Sequence, residues 1–192
     1  MHCYRLDMTT PRPHRRLPRL EAESYRGQIA VHWTSCMQGR AQGWLTPLFH
    51  SRFREVLVHA STRYSFVVPA YCLMPDHHHV LFLGLRDDSA LYLAMRFLRK
   101  HTAKALLPAR YQEQAYDHVL REDEAARAAF EEACWYITQN PVRARLCLQA
   151  DEYQFSGSVV PGFPDLNIHD SNYWSLFWRI CERLTVKPWP CS

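Results

Sequence analysis

Two apolar segments separated by only two residues constrain the fold of this chain most. Residues 64–74 (YSFVVPAYCLM) are rich in β-branched and aromatic residues, and residues 77–85 (HHHVLFLGL) are strongly apolar after their histidines. Such segments are typical of strands, and Pro75-Asp76 between them suits a tight turn. The sequence therefore predicts an antiparallel hairpin. Pro69 indicates either an edge position or a bulge in its first strand.

The remaining elements alternate between strand-like and helix-like patterns. The predicted strands outside the hairpin cover residues 28–36 and 116–120, and the predicted helices run from Pro47 to about Ala60 with Thr46 as N-cap, and over residues 88–107, 123–139 and 142–148. In the helix over residues 88–107, Leu91, Ala94, Leu98 and Ala105 form the predicted apolar side. This order predicts an α+β fold, a ferredoxin-like βαββαβ core with an antiparallel sheet. An appended C-terminal helix carries Tyr136.

The chain divides by composition into three parts. Residues 1–24 are predicted to be a flexible basic arm, because prolines interrupt them and residues 1–20 hold five arginines against one aspartate. Residues 25–157 form the predicted domain, and residues 158–192 are an aromatic-rich extension expected to pack on it. The net charge of +4 is concentrated in the arm, which suits either a polyanion such as nucleic acid or a solvated tail.

Composition excludes several classes of protein. No apolar run approaches the roughly 18 residues that span a bilayer, so we expect no membrane association and a cytoplasmic location. The seven cysteines are odd in number and form no CxxC pair, which argues against a disulfide framework or a cysteine-rich zinc module. We expect them to be reduced. No glycine-rich loop for phosphate binding is recognisable, so no nucleotide cofactor is expected.

The three consecutive histidines begin the second strand of the hairpin. Side chains alternate between the two faces of a strand, so His77 and His79 are predicted to share one face and His78 to point the other way. Two imidazoles two residues apart can bind one metal ion. The alternative is that they are ordinary surface or core histidines.

The third helix carries Tyr136 four residues before Asn140, which places the two on one face if the turn between them is helical. A phenol is a weak nucleophile unless a metal ion or a base assists it. Tyr136 is therefore a candidate nucleophile, and the alternative is a core tyrosine. Asn140 has the alternative role of capping a helix that Pro141 begins.

Together the two motifs resemble a known family. The segment from Tyr71 to Leu81 resembles the MPNHVHLL strand of the HUH endonucleases, and the segment from Tyr136 to Ala144 resembles the YIxxNPVRAG helix end of their single-tyrosine branch. The similarity is greatest to REP-associated tyrosine transposases. It extends over residues 28–157 and includes residues 116–121 and 153–157. The sequence departs from the pattern at His78, where a hydrophobic residue is expected, and at Arg145, where a glycine is expected.

The resemblance implies a metal-dependent endonuclease and strand transferase acting on single-stranded DNA beside a hairpin. In that family pattern Tyr136 attacks the backbone, leaving a 5′-phosphotyrosine and a free 3′-hydroxyl. His77, His79 and Asn140 would hold one divalent ion, Mg²⁺ or Mn²⁺. The expected DNA contacts are Arg96, Arg99, Lys100, Lys104, Arg121, Arg143, Arg15 and Arg16. Trp33 and Trp44 are either stacking platforms for bases or core residues.

Two other functions remain open on the sequence. One is a hairpin-DNA-binding protein without catalysis, and the other is a histidine-metal phosphoesterase that uses water and leaves Tyr136 structural. A monomer and a homodimer are both compatible with the sequence. The resemblance further implies a prokaryotic, nucleoid-associated protein.

Overall fold

The computed structural model describes residues 20–120 and 126–185. Its strands are β1 (Ala30–Cys36), β2 (Phe66–Met74), β3 (His77–Gly84), β4 (Tyr116–Val119) and β5 (Ser156–Val159). Its helices of the α type are α1 (Pro47–Tyr64), α2 (Leu91–Thr102), α3 (Arg127–Thr138), α4 (Asn140–Arg143) and α5 (Tyr173–Leu184). The strand and helix order confirms the predicted βαββαβ core followed by the helix that carries Tyr136.

The five strands form one antiparallel sheet in the order β4-β1-β3-β2-β5. The predicted hairpin is β2 paired with β3, and β3 lies at the centre of the sheet between β1 and β2. Strand β5 was not predicted, because its sequence Ser-Gly-Ser-Val lacks the β-branched and aromatic run that marks a strand. It pairs with β2 and covers what would otherwise be an edge.

Pro69 produces a bulge in β2. The pairing register of β2 shifts between Val67 and Ala70 against β3, and between Val68 and Tyr71 against β5. The predicted bulge is therefore confirmed, whereas the alternative of an edge position is wrong, because β2 is paired on both sides. The hydroxyl of Tyr173 in α5 donates a hydrogen bond of 2.7 Å to the Pro69 carbonyl.

The first two helices differ in how well their bounds were predicted. Helix α1 begins as expected, with the Phe49 amide donating to Thr46 Oγ1 at 3.1 Å. Helix α2 begins three residues later than residue 88, because the Ser89 hydroxyl accepts the amides of Leu85 and Arg86 and folds this segment into a turn. It also ends at Thr102, so Ala105 lies outside the helix and is exposed rather than on its apolar side.

Helix α3 ends at Thr138, just before Asn140-Pro141, as predicted. A short helix does follow, but its predicted position at residues 142–148 is wrong. Helix α4 begins at Asn140 and ends at Arg143, and Arg145 then adopts a positive φ of 58° that cannot continue a right-handed helix.

Helices cover both faces of the sheet. Helices α1 and α2 pack on one face, where Trp33, Val80 and Phe82 belong to the core. Helices α3 and α5 pack on the other face, where Leu81 and Leu83 contact a cluster that includes Phe130 and Phe177. No helix in the described part of the chain is both long enough and apolar enough to cross a membrane.

Candidate active site

The three histidines of β3 divide between the two faces of the sheet. His77 and His79 point toward the face that α3 covers, as strand alternation predicts. His78 is fully buried on the opposite face, with ring centroids 5.2 Å from Phe53 and 5.7 Å from Tyr111. Neither of its ring nitrogens has a hydrogen-bond partner, and burial lowers its pKa to about 3. His78 is therefore a core residue.

The Nε2 atoms of His77 and His79 converge. They lie 3.2 Å apart, with the two rings nearly perpendicular. Two imidazole nitrogens bound to one ion at the usual ~2.0–2.1 Å, in tetrahedral or octahedral geometry, stand about 2.9–3.4 Å from each other. The pair thus has the spacing and the donor chemistry that a divalent ion requires.

Each of these rings is held at its other nitrogen. His77 Nδ1 lies 2.5 Å from Asp76 Oδ1, and the second carboxylate oxygen of Asp76 accepts a hydrogen bond of 3.1 Å from Arg40. His79 Nδ1 lies 3.0 Å from Thr34 Oγ1 and 3.2 Å from His32 Nε2. Partners at Nδ1 orient a metal-binding imidazole and set which nitrogen carries its proton.

These partners were not found by sequence reasoning. Thr34 faces His79 directly across the β1–β3 ladder, and His32 lies two residues before Thr34 on the same face of β1. The sequence did contain an indication of these partners, because residues 32 and 34 are polar and two positions apart on a strand, and so share one face as residues 77 and 79 do. It could be used only if the pairing of β1 with β3 and its register were known.

Burial keeps His79 and His32 neutral. Desolvation lowers the pKa of His79 well below 6.5, and the neighbouring charges of His32, His77, His78 and Arg143 lower it further. Desolvation also lowers the pKa of His32 to about 4, with a smaller contribution from His118, its partner across the β1–β4 ladder. Neutral imidazoles are the form that binds metal.

Tyr136 is half exposed, with 51% of its surface accessible, on the flank of α3 next to the buried Cys134 and Ile137. The guanidinium carbon of Arg143 lies 3.9 Å from the centre of the Tyr136 ring, and Arg143 Nη1 donates to the Tyr136 carbonyl at 3.1 Å. A cation over a ring face is held by the ring quadrupole. Arg143 thereby fixes the position of the tyrosine at the end of the helix.

Asn140 lies one turn beyond Tyr136, as the spacing predicts. Its side-chain nitrogen donates to the carbonyls of Tyr136 and Ile137, at 3.1 and 3.0 Å. This contact caps the end of α3 and leaves Oδ1 as the atom that could bind a metal ion. Among the described residues, no group of three or more histidine, cysteine or acidic side chains is arranged to hold a metal. The Asn140 amide oxygen is a candidate third ligand of a different type.

Helices α3 and α4 bring the tyrosine to the histidine face. Both pack on β2, the hairpin partner of the histidine strand, and α3 also contacts β3. The charge of Arg143 in α4 contributes to the lowered pKa of His79, so Arg143 lies within electrostatic reach of that ring. The sequence-distant halves of the candidate site are thus on one face of the sheet.

The other candidate DNA contacts lie elsewhere. Helix α2 carries Arg96, Lys100 and, just beyond its end, Lys104, all exposed, but it covers the opposite face of the sheet from His77 and His79. Arg99, also on α2, is half buried, lies 5.0 Å from the Tyr111 ring centre and donates to the carbonyls of residues 112 and 113. The candidates Arg15, Arg16 and Arg121 lie outside the described residues.

The tryptophans considered as stacking platforms are core residues. Trp33 is fully buried and Trp44 nearly so. The exposed tryptophan near the site is instead Trp135, beside Tyr136, with 58% of its surface accessible and Arg143 5.8 Å from its ring centre. A flat aromatic surface at such a place can stack on a base. Its position in α3 next to the candidate nucleophile was visible in the sequence, but its exposure was not.

The fold is an antiparallel ferredoxin-like sheet. Its central strand carries the paired histidines, and the helix with Tyr136 covers the same face. The chain has the fold seen in the structure of a REP-associated tyrosine transposase bound to a REP hairpin. The two are 20% identical with a TM-score of 0.59, and the match covers 69% of this chain and 78% of that one. A bacterial tRNA(His) guanylyltransferase-like protein in complex with GTP has 13% identity over 68% of this chain and 70% of that one. The TM-score of that match is 0.38. Neither a protein-family model nor a curated protein matches the sequence.

Proposed function

We propose that this chain is a metal-dependent, single-tyrosine DNA nuclease and strand transferase that acts on single-stranded DNA beside a hairpin. The observation that carries the proposal is the 3.2 Å approach of the His77 and His79 Nε2 atoms on the sheet face that the tyrosine helix covers. The hairpin-bound transposase of the same fold supports a hairpin DNA as the partner. A prokaryotic, nucleoid-associated setting fits this role and is part of the proposal.

His77, His79 and the Oδ1 atom of Asn140 would hold one Mg²⁺ or Mn²⁺. When bound, the ion supplies Lewis-acid polarisation of the scissile phosphate and aligns it. The Tyr136 oxygen attacks the phosphorus, a new O–P bond forms, and the bond to the 3′-oxygen breaks. The phenol proton passes to solvent and the released 3′-oxygen takes up a proton. The 5′-phosphotyrosine retains the energy of the phosphodiester, so rejoining requires no nucleotide.

Arg143 has two tasks in this reaction. Its stacking on Tyr136 holds the phenol at the end of α3, and its charge attracts the phosphodiester toward the site. Because one chain brings Arg143 near both Tyr136 and His79, we propose that the tyrosine acts with the histidines of its own chain. A dimer is not required for chemistry.

The proposal is tested by incubating the protein with a labelled hairpin-flanked single strand and Mn²⁺, then denaturing it and looking for DNA bound covalently to protein. We expect an adduct with the wild type and none with Tyr136→Phe. Tyr116→Phe is the matched control, since Tyr116 is a comparably exposed tyrosine on β4. His77→Ala and His79→Ala should abolish cleavage and leave hairpin affinity largely intact.

Other outcomes identify the alternative functions. If Tyr136→Phe still cuts without an adduct, the protein is a water-using phosphoesterase. If the wild type binds the hairpin but never cuts, it is a DNA-binding protein without catalysis. A mixture of Tyr136→Phe and His79→Ala proteins should stay inactive, and recovered activity would mean that the tyrosine acts on the site of a partner chain.

A further inference from the structure

We propose that the two metal-binding histidines differ in how their protons are placed: His77 is locked as a metal ligand, whereas His79 changes tautomer when the ion binds. The inference rests on the proposed function, because it concerns the metal pair described there. Asp76 and Arg40 are the positioning residues for His77, and Thr34 and His32 are those for His79.

His77 is locked because its Nδ1 partner can only accept. The carboxylate of Asp76 has no proton to donate, so the 2.5 Å contact requires a proton on His77 Nδ1. In the neutral form of His77, which is the form that binds metal, this is the only ring proton, and Nε2 keeps its lone pair. Arg40 holds the carboxylate from its other oxygen at 3.1 Å. His77 is thus prepared to bind metal whether or not an ion is present.

His79 has partners that can both donate and accept. The Thr34 hydroxyl does either by rotation, and His32 Nε2 does either according to its own tautomer. In the neutral form that binds metal, the ring carries a single proton, and that proton can lie on either nitrogen. Nothing at Nδ1 therefore dictates where that proton lies.

In the metal-free protein, the contact between the two rings determines which nitrogen of His79 carries the proton. Two lone pairs facing each other at 3.2 Å would repel, and His77 Nε2 has no proton. The contact is favourable only if His79 Nε2 carries the proton and donates it. His79 Nδ1 then accepts from the Thr34 hydroxyl at 3.0 Å, and from His32 Nε2 at 3.2 Å when that nitrogen carries the His32 proton.

Metal binding requires the opposite arrangement at His79. Its Nε2 must present a lone pair, so one proton leaves Nε2 for solvent and one enters at Nδ1, with no change in net charge. The new N–H donates to the Thr34 oxygen or to His32 Nε2. The Thr34 hydroxyl therefore donates to His79 Nδ1 in the metal-free protein and can accept from it when metal is bound. A carboxylate, which only accepts, or an apolar side chain could not make this change.

The direct test is the tautomer of each ring, read from long-range ¹⁵N–¹H correlations of the imidazoles at neutral pH. In the chelator-treated protein we expect His77 protonated at Nδ1 and His79 at Nε2. With Zn²⁺ as a diamagnetic probe we expect both to be protonated at Nδ1. Asp76→Ala should release His77 from its Nδ1 form in the metal-free protein.

Affinity for Mn²⁺, measured from the free-ion electron paramagnetic resonance signal, provides the second readout. Thr34→Val keeps the shape of the side chain but removes the hydroxyl, and we expect about tenfold weaker binding, while Thr34→Ser should bind like the wild type. Asp76→Ala should weaken binding by about 10- to 100-fold. In a His79→Ala background, Thr34→Val should have no further effect, which a general structural role would not predict.

The possible results separate the two proposals. If His79 is already protonated at Nδ1 without metal, or if Thr34→Val binds Mn²⁺ as well as the wild type does, the switch is wrong and the proposed function stands. If the folded wild type binds neither Mn²⁺ nor Zn²⁺, the metal dependence of the proposed function fails and the switch fails with it. Thermal melting of each variant distinguishes loss of the site from loss of the fold.

Discussion

The guanidinium of Arg143 stacks on the ring of Tyr136 at 3.9 Å and also lowers the pKa of His79 through its charge. The residue comes directly after Pro141-Val142, in a helix of only four residues. This short helix turns the chain back over the end of α3. One cation therefore contacts the candidate nucleophile and also acts electrostatically on a histidine of the candidate metal pair.

Arg143→Ala is expected to slow cleavage. The variant loses both the stacking that positions the phenol and a charged contact to phosphate, and contacts to charged groups are worth about 1.5–3 kcal/mol, or roughly 10- to 100-fold in rate. Single-turnover cleavage with saturating DNA measures the effect. Arg143→Lys keeps the charge but lacks the planar stacking group, so its cleavage rate should lie between those of the wild type and Arg143→Ala.

The exposed cations of α2 and the turn after it should act on binding rather than on chemistry, because α2 lies on the other face of the sheet from His77 and His79. Replacing Arg96, Lys100 and Lys104 with glutamine is expected to weaken hairpin binding and to reduce the salt dependence by about 0.9 in log–log slope for each duplex phosphate that the protein no longer neutralises. Fluorescence anisotropy over a range of salt concentrations measures the slope. An unchanged slope would identify these residues as an ordinary solvated helix face.

His78→Leu is expected to stabilise the protein by about 1–3 kcal/mol at neutral pH, because it removes a buried imidazole whose two nitrogens have no hydrogen-bond partner. Leucine is close in volume and suits the space beside Phe53 and Tyr111. Urea unfolding of the metal-free protein measures the change. As a control, His59→Leu removes an exposed imidazole from α1 and should change stability by no more than about 0.5 kcal/mol.

The same substitution should reduce the acid sensitivity of the fold. Burial lowers the pKa of His78 from 6.5 to about 3, so below pH 6.5 the unfolded chain takes up a proton there that the folded chain does not. The contribution of His78 to the free energy of unfolding does not change above pH 6.5. As the pH falls from 6.5 toward 3, the free energy of unfolding decreases by up to about 1.4 kcal/mol per pH unit. The wild type should therefore lose stability on acidification more steeply than His78→Leu. Parallel curves would contradict a buried, neutral His78.

Tyr173→Phe is expected to destabilise the protein by about 1–3 kcal/mol, because it leaves the buried Pro69 carbonyl at the β2 bulge without its partner. Tyr153→Phe is a matched control, since the Tyr153 hydroxyl donates at 2.7 Å to another β2 carbonyl, that of Leu73, and Tyr153 is less buried than Tyr173. Chemical denaturation should show the larger loss for Tyr173→Phe. An equal or smaller loss would mean that the bulge does not depend on α5.

The sequence predicted the core of the fold where local patterns were strong. The hairpin of β2 and β3, the Thr46 cap and the stop before Pro141 all depend on residues close together in the chain, and all were confirmed. Strand β5 and the late start of α2 depend on distant partners. The first requires an edge of β2 to pair with, and the second requires the Ser65 carbonyl that accepts from the Ser89 hydroxyl.

The candidate site shows the same division. Alternation along one strand was enough to separate His77 and His79 from His78. The partners at Nδ1 were out of reach, because Thr34 and His32 meet His79 only through the register of β1 on β3. Exposure was equally hidden, so Trp33 could not be recognised as core, nor Trp135 as surface, before the packing of the helices was known.

The run of three histidines at the start of β3 also bears on how the strand finds its place. A slip of one residue would turn every side chain of β3 to the other face of the sheet. It would place His77 and His79 under α1 and α2, so that two imidazoles instead of one would be enclosed by apolar side chains, and it would withdraw His79 from Thr34. The misaligned hairpin is thus penalised on both faces at once, and the residues proposed to bind metal also help the chain to reject its nearest folding error.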